Sequence, residues 1–158
     1  MGGRSRRMAG VAHLMPLIDT TVWIDFFADR PEPHVAALKE LILNNMDLCM
    51  CGLILTEVLQ GIRHDKDYRK TREYFESLVF LPMRRTTFLH AAELYRSLRK
   101  KGITIRKPVD CMIASVAIEY DQPLLHNDRD FDRIARHSKL KIVNPEKPVK
   151  RRSRRSDS

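Results

Sequence analysis

Short apolar runs alternate along the chain with longer segments in which apolar residues recur at helical spacing. The short runs predict strands at 14–18, 47–51, 80–83, 123–126 and 140–143. The longer segments predict helices at 22–28, 34–44, 53–62, 67–79, 86–101, 109–119 and 130–137. Because short apolar strands that alternate with helices form parallel sheets covered on both faces, we expect an α/β domain with a short central parallel sheet of about four to five strands, flanked by helices.

Length and composition fit one globular domain. The chain has 158 residues, 43% of them hydrophobic and 31% charged, which excludes collagen-like and disulfide-framework proteins. No apolar run is long enough to span a membrane. The weakly apolar segment 8–18 contains His13 and Pro16 and runs into Asp19 without a small-residue cleavage site. We therefore expect a cytoplasmic protein.

The positive charge lies mostly at the two ends. Of the formal net charge of +9, residues 1–9 carry +3 and residues 147–158 carry +5, which leaves +1 for the rest. This predicts a basic N-terminal lead (1–13), a nearly neutral domain (14–146) and a disordered basic tail (147–158). Basic tails attract polyanions without reading their sequence, although they can also serve solubility alone.

The three cysteines indicate reduced thiols. Cys49, Cys51 and Cys111 form no disulfide framework, and the first two lack the partner pair that a zinc site requires. We expect them to be buried as small hydrophobic residues.

Acidic residues follow the predicted strands and begin the predicted helices. Asp19 follows the first strand, Asp128 and Asp130 follow the fourth, Asp110 lies in a first helical turn, and Glu57 interrupts an apolar helix. Each has a simpler explanation as a helix cap, a first-turn acid or a solvent-facing side chain. At one edge of a parallel sheet, however, such carboxylates would repel strongly without cations. An all-oxygen set favours Mg²⁺ or Mn²⁺, the ions used in phosphoryl chemistry.

Four segments in order resemble the PIN-domain ribonucleases of the VapC toxin type. They are LIDTTVWID at 17–25, LTEVLQG at 55–61, RKPVDCMIA at 106–114 and LHNDRDF at 125–131. The resemblance covers about 14–145 and implies a PIN-like fold. It also implies a catalytic quartet of Asp19, Glu57, Asp110 and Asp128, with Asp19 and Asp110 as direct Mg²⁺ ligands.

The resemblance extends to the residues around the quartet. Asp130 would be an accessory ligand or share the fourth position with Asp128, and the Thr21 hydroxyl would hold a metal-bound water. The residues themselves also offer positive charge for binding RNA, although the run after Glu57 can equally be a solvated helix face; the candidates are Arg63, Lys66, Arg69, Arg106 and Lys107. We expect Asp25, farther along its helix, to lie outside the site, so that Asp25→Asn has little effect.

The implied function is a Mg²⁺-dependent endoribonuclease, with Mn²⁺ as a substitute, that acts as the toxin of a toxin–antitoxin pair. The implied partners are a VapB-like antitoxin, a second copy of the chain, an RNA substrate (transfer RNA among the candidates), and operator DNA only when the antitoxin is bound. Two alternatives remain open. One is a PIN-like module that binds RNA without cutting it. The other is a phosphoaspartyl enzyme with Asp19 as nucleophile, although neither Asp25 nor Lys107 is well placed for that chemistry.

Overall fold

A computed structural model describes residues 13–147. Four parallel strands form the central sheet in the order β3-β2-β1-β4. The strands are β1 Leu17–Ile18, β2 Cys49–Met50, β3 Val79–Phe80 and β4 Leu124–Leu125. Most of the predicted basic lead and tail lies outside the described residues.

Seven helices of the described chain connect and flank the strands. They are α1 Thr20–Phe27, α2 Pro33–Leu43, α3 Gly52–Gln60, α4 Asp65–Glu76, α5 Arg85–Lys100, α6 Pro108–Glu119 and α7 Arg129–Arg136. Proline begins α2 and α6, where its missing N–H is not needed. After α5, Gly102 adopts a φ of 78°, a left-handed conformation that glycine allows without strain and that ends the helix.

The first strand is the centre of the fold. Leu17 and Ile18 are fully buried between β2 and β4, with Leu17 paired to Cys49 on one side and to Leu124 on the other. The ladder continues past the strand, because the Asp19 N–H donates to the Leu125 carbonyl at 2.9 Å. This bond fixes the chain at the point where β1 leads into α1.

The predicted α/β architecture is confirmed, but every strand is shorter than predicted, and two of the five expected strands differ further. The expected third strand at 80–83 begins earlier, at Val79, because α4 ends at Glu76 and the Val79 N–H is free to donate to the Leu48 carbonyl at 2.9 Å. The expected fifth strand at 140–143 forms only an isolated parallel bridge between Leu124 and Ile142.

The core contains the residues expected from the apolar pattern. All three cysteines are free and buried, as predicted. Trp23 is fully buried and stacks on Phe27, a residue that remains 46% exposed. No helix in the described region combines the length and the hydropathy that crossing a bilayer would need.

Candidate active site

Carboxylates from four helices collect at the carboxyl edge of the sheet. Asp19 caps α1 directly after β1, and Asp128 caps α7 three residues after β4 ends. Asp110 lies in the first turn of α6, and Glu57 lies in the middle of α3. The charges of Asp128, Asp19 and Asp130 all act on Asp110, so the structure brings the predicted acids into one electrostatic cluster.

The Asp19 carboxylate is held in a defined orientation. Its Oδ2 accepts hydrogen bonds from the Thr21 N–H at 3.1 Å and from the Thr21 hydroxyl at 2.6 Å. Burial raises the pKa of Asp19 above its ordinary value, and the hydrogen bonds from Thr21 oppose that rise. The same residues that begin α1 therefore place a buried carboxylate at the sheet edge.

Glu57 joins the cluster through the neighbouring threonine. The Thr20 hydroxyl donates to Glu57 Oε1 at 3.2 Å, which ties α3 to the start of α1. Burial, with a smaller contribution from the charge of Asp19, raises the pKa of Glu57, while the bond from Thr20 and the charge of Lys107 lower it. Glu57 is therefore not the solvent-facing side chain of the simpler alternative.

Asp110 is the carboxylate least compensated by the protein. Only 5% of the residue is exposed, and its Oδ2 is buried without a hydrogen-bond partner in the described chain. Burial and the charges of neighbouring acids raise the pKa of Asp110 to about 7, although Lys107 partly offsets them. An unpartnered carboxylate oxygen at this position is suited to a cation.

Asp128 and Asp130 differ in how well they are neutralised. Asp130 Oδ2 accepts a hydrogen bond from the backbone N–H of Arg106 at 3.3 Å and lies 3.5 Å from the Arg106 Nε. Asp130 Oδ1 lies 3.4 Å from Arg133 Nη1. Asp128 Oδ1 accepts from the Asp130 N–H at 2.9 Å and lies 3.6 Å from Arg106 Nη2. Asp130 thus has more cationic partners than Asp128.

The donor set fits a hard divalent cation, although the side chains are not closed around one. Within residues 13–147, no three His, Cys, Asp or Glu groups meet at ligand spacing. The chemical nature of the donors supports a cation site. The cluster offers only carboxylate oxygens, and one of them, Asp110 Oδ2, has no hydrogen-bond partner in the described chain. The negative charges of the neighbouring acids also raise the pKa of Asp110. Mg²⁺ or Mn²⁺ would relieve that repulsion.

The predicted RNA-binding residues fall into two groups. Lys107 and Arg106 immediately precede α6 and act on the acids through their charge or through ion pairs, while Arg106 remains 72% exposed at its side chain. Arg63, Lys66 and Arg69 are exposed on the loop after α3 and on α4. Their contact with RNA stays a prediction.

Two residues support the cluster: Asn127, which sequence reasoning missed, and His126, for which a supporting or structural role was expected. The N–H of Asn127 donates to the Thr21 hydroxyl at 3.1 Å, and the ring of His126 accepts from the Asp128 N–H through Nδ1 at 3.0 Å. Burial lowers the pKa of His126, although nearby acids, Asp132 first, oppose that shift. Both residues lie inside the LHNDRDF segment, which was the available signal.

The expectation that Asp25 lies outside the site stays a prediction, although the structure links Asp25 indirectly to Thr21. Asp25 is buried and contacts His34 Nε2 at 2.6 Å and Arg30 Nη1 at 3.5 Å. It also accepts from the side chain of Asn127 at 3.5 Å, so it is connected to Thr21. Helical spacing alone hid this link, because the partners come from α2 and from the loop after β4.

Comparison with known proteins matches this chain to one family. The PIN domain profile matches residues 17–137. VapC ribonuclease Mb1587 of Mycobacterium bovis is 34% identical over 133 residues, which cover 82% of this chain and 98% of that protein. Ribonuclease VapC21 of Mycobacterium tuberculosis is 30% identical over 106 residues, covering 65% and 76% respectively.

Solved structures share the fold. VapBC-1 from nontypeable Haemophilus influenzae matches with a TM-score of 0.65 and 24% identity, covering 85% of this chain and 100% of that one. A DNA-bound VapBC from Salmonella typhimurium matches with a TM-score of 0.67 and 24% identity, covering 84% and 98%. With the profile match over most of the chain and the extended identity to VapC proteins, the chain belongs to the PIN-domain family.

Proposed function

We propose that this protein is a divalent-metal-dependent endoribonuclease of the VapC type, the toxin of a toxin–antitoxin pair. The observation that carries the proposal is the carboxylate cluster around Asp110, whose buried oxygen has no partner in the described chain. Two of the relatives that match over most of their length are named ribonucleases. The cluster and the names point to the same chemistry, hydrolysis of an RNA phosphodiester.

Asp19, Glu57, Asp110 and Asp128 are the residues that would hold Mg²⁺ or Mn²⁺. Asp128 suits the fourth position better than Asp130, because its charge acts more strongly on Asp110 and because Asp130 is already paired with Arg106 and Arg133. A cation bound there would lower the pKa of a water molecule and would compensate the negative charge of the phosphate.

The other residues would orient the reactants. Lys107 and the exposed guanidinium of Arg106 place positive charge beside the acids, where they can bind phosphate groups of the RNA. Water attacks the phosphorus in line and loses a proton, the bond to the 3′ oxygen breaks, and that oxygen takes up a proton, so that the number of protons is unchanged overall. The products are a 5′-phosphate and a 3′-hydroxyl.

The proposal includes protein partners. Large apolar side chains that a protein partner could cover remain exposed in the described chain; they include Ile24, Phe27, Leu43, Phe80, Phe88 and Leu89. The matched solved structures are VapBC complexes, one of them bound to DNA. We infer a VapB-like antitoxin, a homodimer, and operator DNA binding by the toxin–antitoxin complex.

Cleavage of single-stranded RNA should require added metal. We expect hydrolysis to stop in EDTA and to return with Mg²⁺ or Mn²⁺, because the carboxylates cannot themselves offset phosphate charge. Mapping of the cut ends on total RNA would identify the substrate. RNA binding without cleavage at any metal concentration would favour the non-cleaving module, and full activity in EDTA would exclude the metal mechanism.

Deleting residues 147–158 should weaken RNA binding. The deleted segment carries a net charge of +5. We expect a smaller salt dependence of the binding constant, because its slope scales with about 0.7 per contacted phosphate on single strands. Titrations at several salt concentrations would measure the slope. An unchanged slope would assign the tail to solubility.

A further inference from the structure

Asn127 connects the candidate site to the buried, hydrogen-bonded pair Asp25–His34, which the proposed chemistry does not use. It lies between β4 and Asp128, and its backbone N–H donates to Thr21 Oγ1 at 3.1 Å. Its side-chain Nδ2 donates to Asp25 Oδ2 at 3.5 Å. One residue therefore contacts α1 at two points, one turn apart.

The contact with Thr21 fixes the direction of a hydroxyl hydrogen. A threonine hydroxyl has a single hydrogen, and here its oxygen already accepts from the Asn127 N–H. The hydrogen is then directed to Asp19 Oδ2, which lies 2.6 Å away. Because Asp19 Oδ2 also accepts from the Thr21 N–H, the carboxylate is held by two donors from one residue.

The other end of the connection is anchored in the protein interior. Asp25 Oδ2 and His34 Nε2 lie 2.6 Å apart, and both side chains are at most 11% exposed. The pair joins α1 to α2, and Arg30 lies 3.5 Å from the second oxygen of Asp25. A buried carboxylate with these partners has little freedom to move, so it is a firm attachment for the Asn127 amide.

We propose that Asn127 is a positioning residue that, anchored by the Asp25–His34 pair, orients the Thr21 hydroxyl toward Asp19. The proposal rests on the function proposed above, because it takes Asp19 as a ligand of the catalytic cation. In this proposal Asn127, Asp25 and His34 bind neither the cation nor the RNA, and they act only by positioning Thr21 and Asp19. Supporting side chains of this kind determine how well a ligand carboxylate is placed.

The test is Asn127→Ala, which keeps the backbone N–H and removes only the amide that reaches Asp25. The residue is exposed, so the variant should fold. We expect kcat for RNA to fall by about 10- to 100-fold and Mg²⁺ affinity to weaken within the same range, with KM for RNA unchanged. Mg²⁺ affinity is measured by titrating the melting temperature. The matched control is Asn44→Ala, at an exposed position that ends α2, and it should behave as wild type.

Repeating the substitution in variants of Thr21 tests whether Asn127 acts through the Thr21 hydroxyl. In Thr21→Val, which lacks the hydroxyl, adding Asn127→Ala should change neither kcat nor Mg²⁺ affinity further, whereas Thr21→Ser should retain the response. Additive losses in Thr21→Val, or an Asn127→Ala protein equal to the Asn44→Ala control, would overturn the proposal. A wild type that binds Mg²⁺ but cuts no RNA would refute the proposed function alone, and the Mg²⁺ titrations would still decide the role of Asn127. A wild type without Mg²⁺ binding would refute both.

Discussion

Asp110→Asn should reduce RNA cleavage by about 10³-fold or more, the loss expected when several kcal/mol of charge stabilisation are removed from a phosphoryl-transfer site. Asp110 is the buried carboxylate with an oxygen that has no hydrogen-bond partner in the described chain. Asp19 and Asp130 cannot replace it as a cation ligand, because they already accept hydrogen bonds from Thr21 and Arg106. Asparagine has nearly the same shape, and the variant should keep its fold. RNA binding should persist, because Arg106 and Lys107 are unchanged.

The matched control for this variant is Asp67→Asn. Asp67 and Asp110 both occupy the third position of a helix, in α4 and α6 respectively, but Asp67 is exposed. If Asp110 served only the helix dipole, the two variants would behave alike. Cleavage rates and RNA affinities of both variants, measured with saturating Mg²⁺, separate the two roles. Equal activity in the two variants would remove Asp110 from the site.

The positions of Asp19, Asp110 and Asp128 were predictable, since each of the three is tied to a boundary between elements. Asp19 and Asp128 follow buried apolar strands and cap the next helix, and parallel strands bring such positions to one edge. Asp110 follows Pro108, which marks the start of α6. Local pattern and one topological rule therefore suffice to bring these three acids together, whereas Glu57 lies within α3 and was marked only as an acid in an apolar helix.

Residues that support the acids were not predictable in the same way. The contacts of Asn127 with Thr21 and Asp25 span more than 100 positions of the sequence. The Asp25–His34 contact depends on how α1 packs on α2. Hydrophobic periodicity reports which face of a helix is buried and carries no information about which polar group meets it there.

Strand lengths were overestimated for a related reason. Apolar runs such as 140–143 satisfy the core without a full ladder, because Leu140 and Val143 are buried although only Ile142 forms a bridge. Burial and backbone pairing leave the same apolar signature in a sequence. The number of paired residues depends on where the neighbouring strand ends, here at Leu125.

Without metal, the folded protein should lose stability as the pH rises from about 4 to about 7. The pKa of Asp110 is raised from 3.8 to about 7 in the folded state, so within this window the folded chain binds a proton that the unfolded chain has released. Asp19 and Glu57, whose pKa values are also raised, act in the same direction. His126 acts in the opposite direction, because its pKa is lowered and the unfolded chain binds the extra proton below its ordinary pKa. The contribution of Asp110 is therefore isolated by comparing wild type with Asp110→Asn.

In EDTA above pH 7, Asp110→Asn should melt at or above the temperature of wild type, since the substitution removes a buried charge that Asp128 and Asp19 repel. A gain of one kcal/mol corresponds to roughly 2–4 °C at this chain length. The difference should shrink as the pH falls toward about 4, because Asp110 is then protonated and uncharged in the folded state. Asp67→Asn should melt below wild type instead, because it loses only the favourable helix-dipole interaction of about 0.3–1 kcal/mol.

Mg²⁺ should stabilise wild type and Asp67→Asn by mass action and should stabilise Asp110→Asn much less. A metal-free Asp110→Asn protein that is as destabilised as Asp67→Asn, with the same response to Mg²⁺, would show that Asp110 serves the helix and that the carboxylates do not form a cation site.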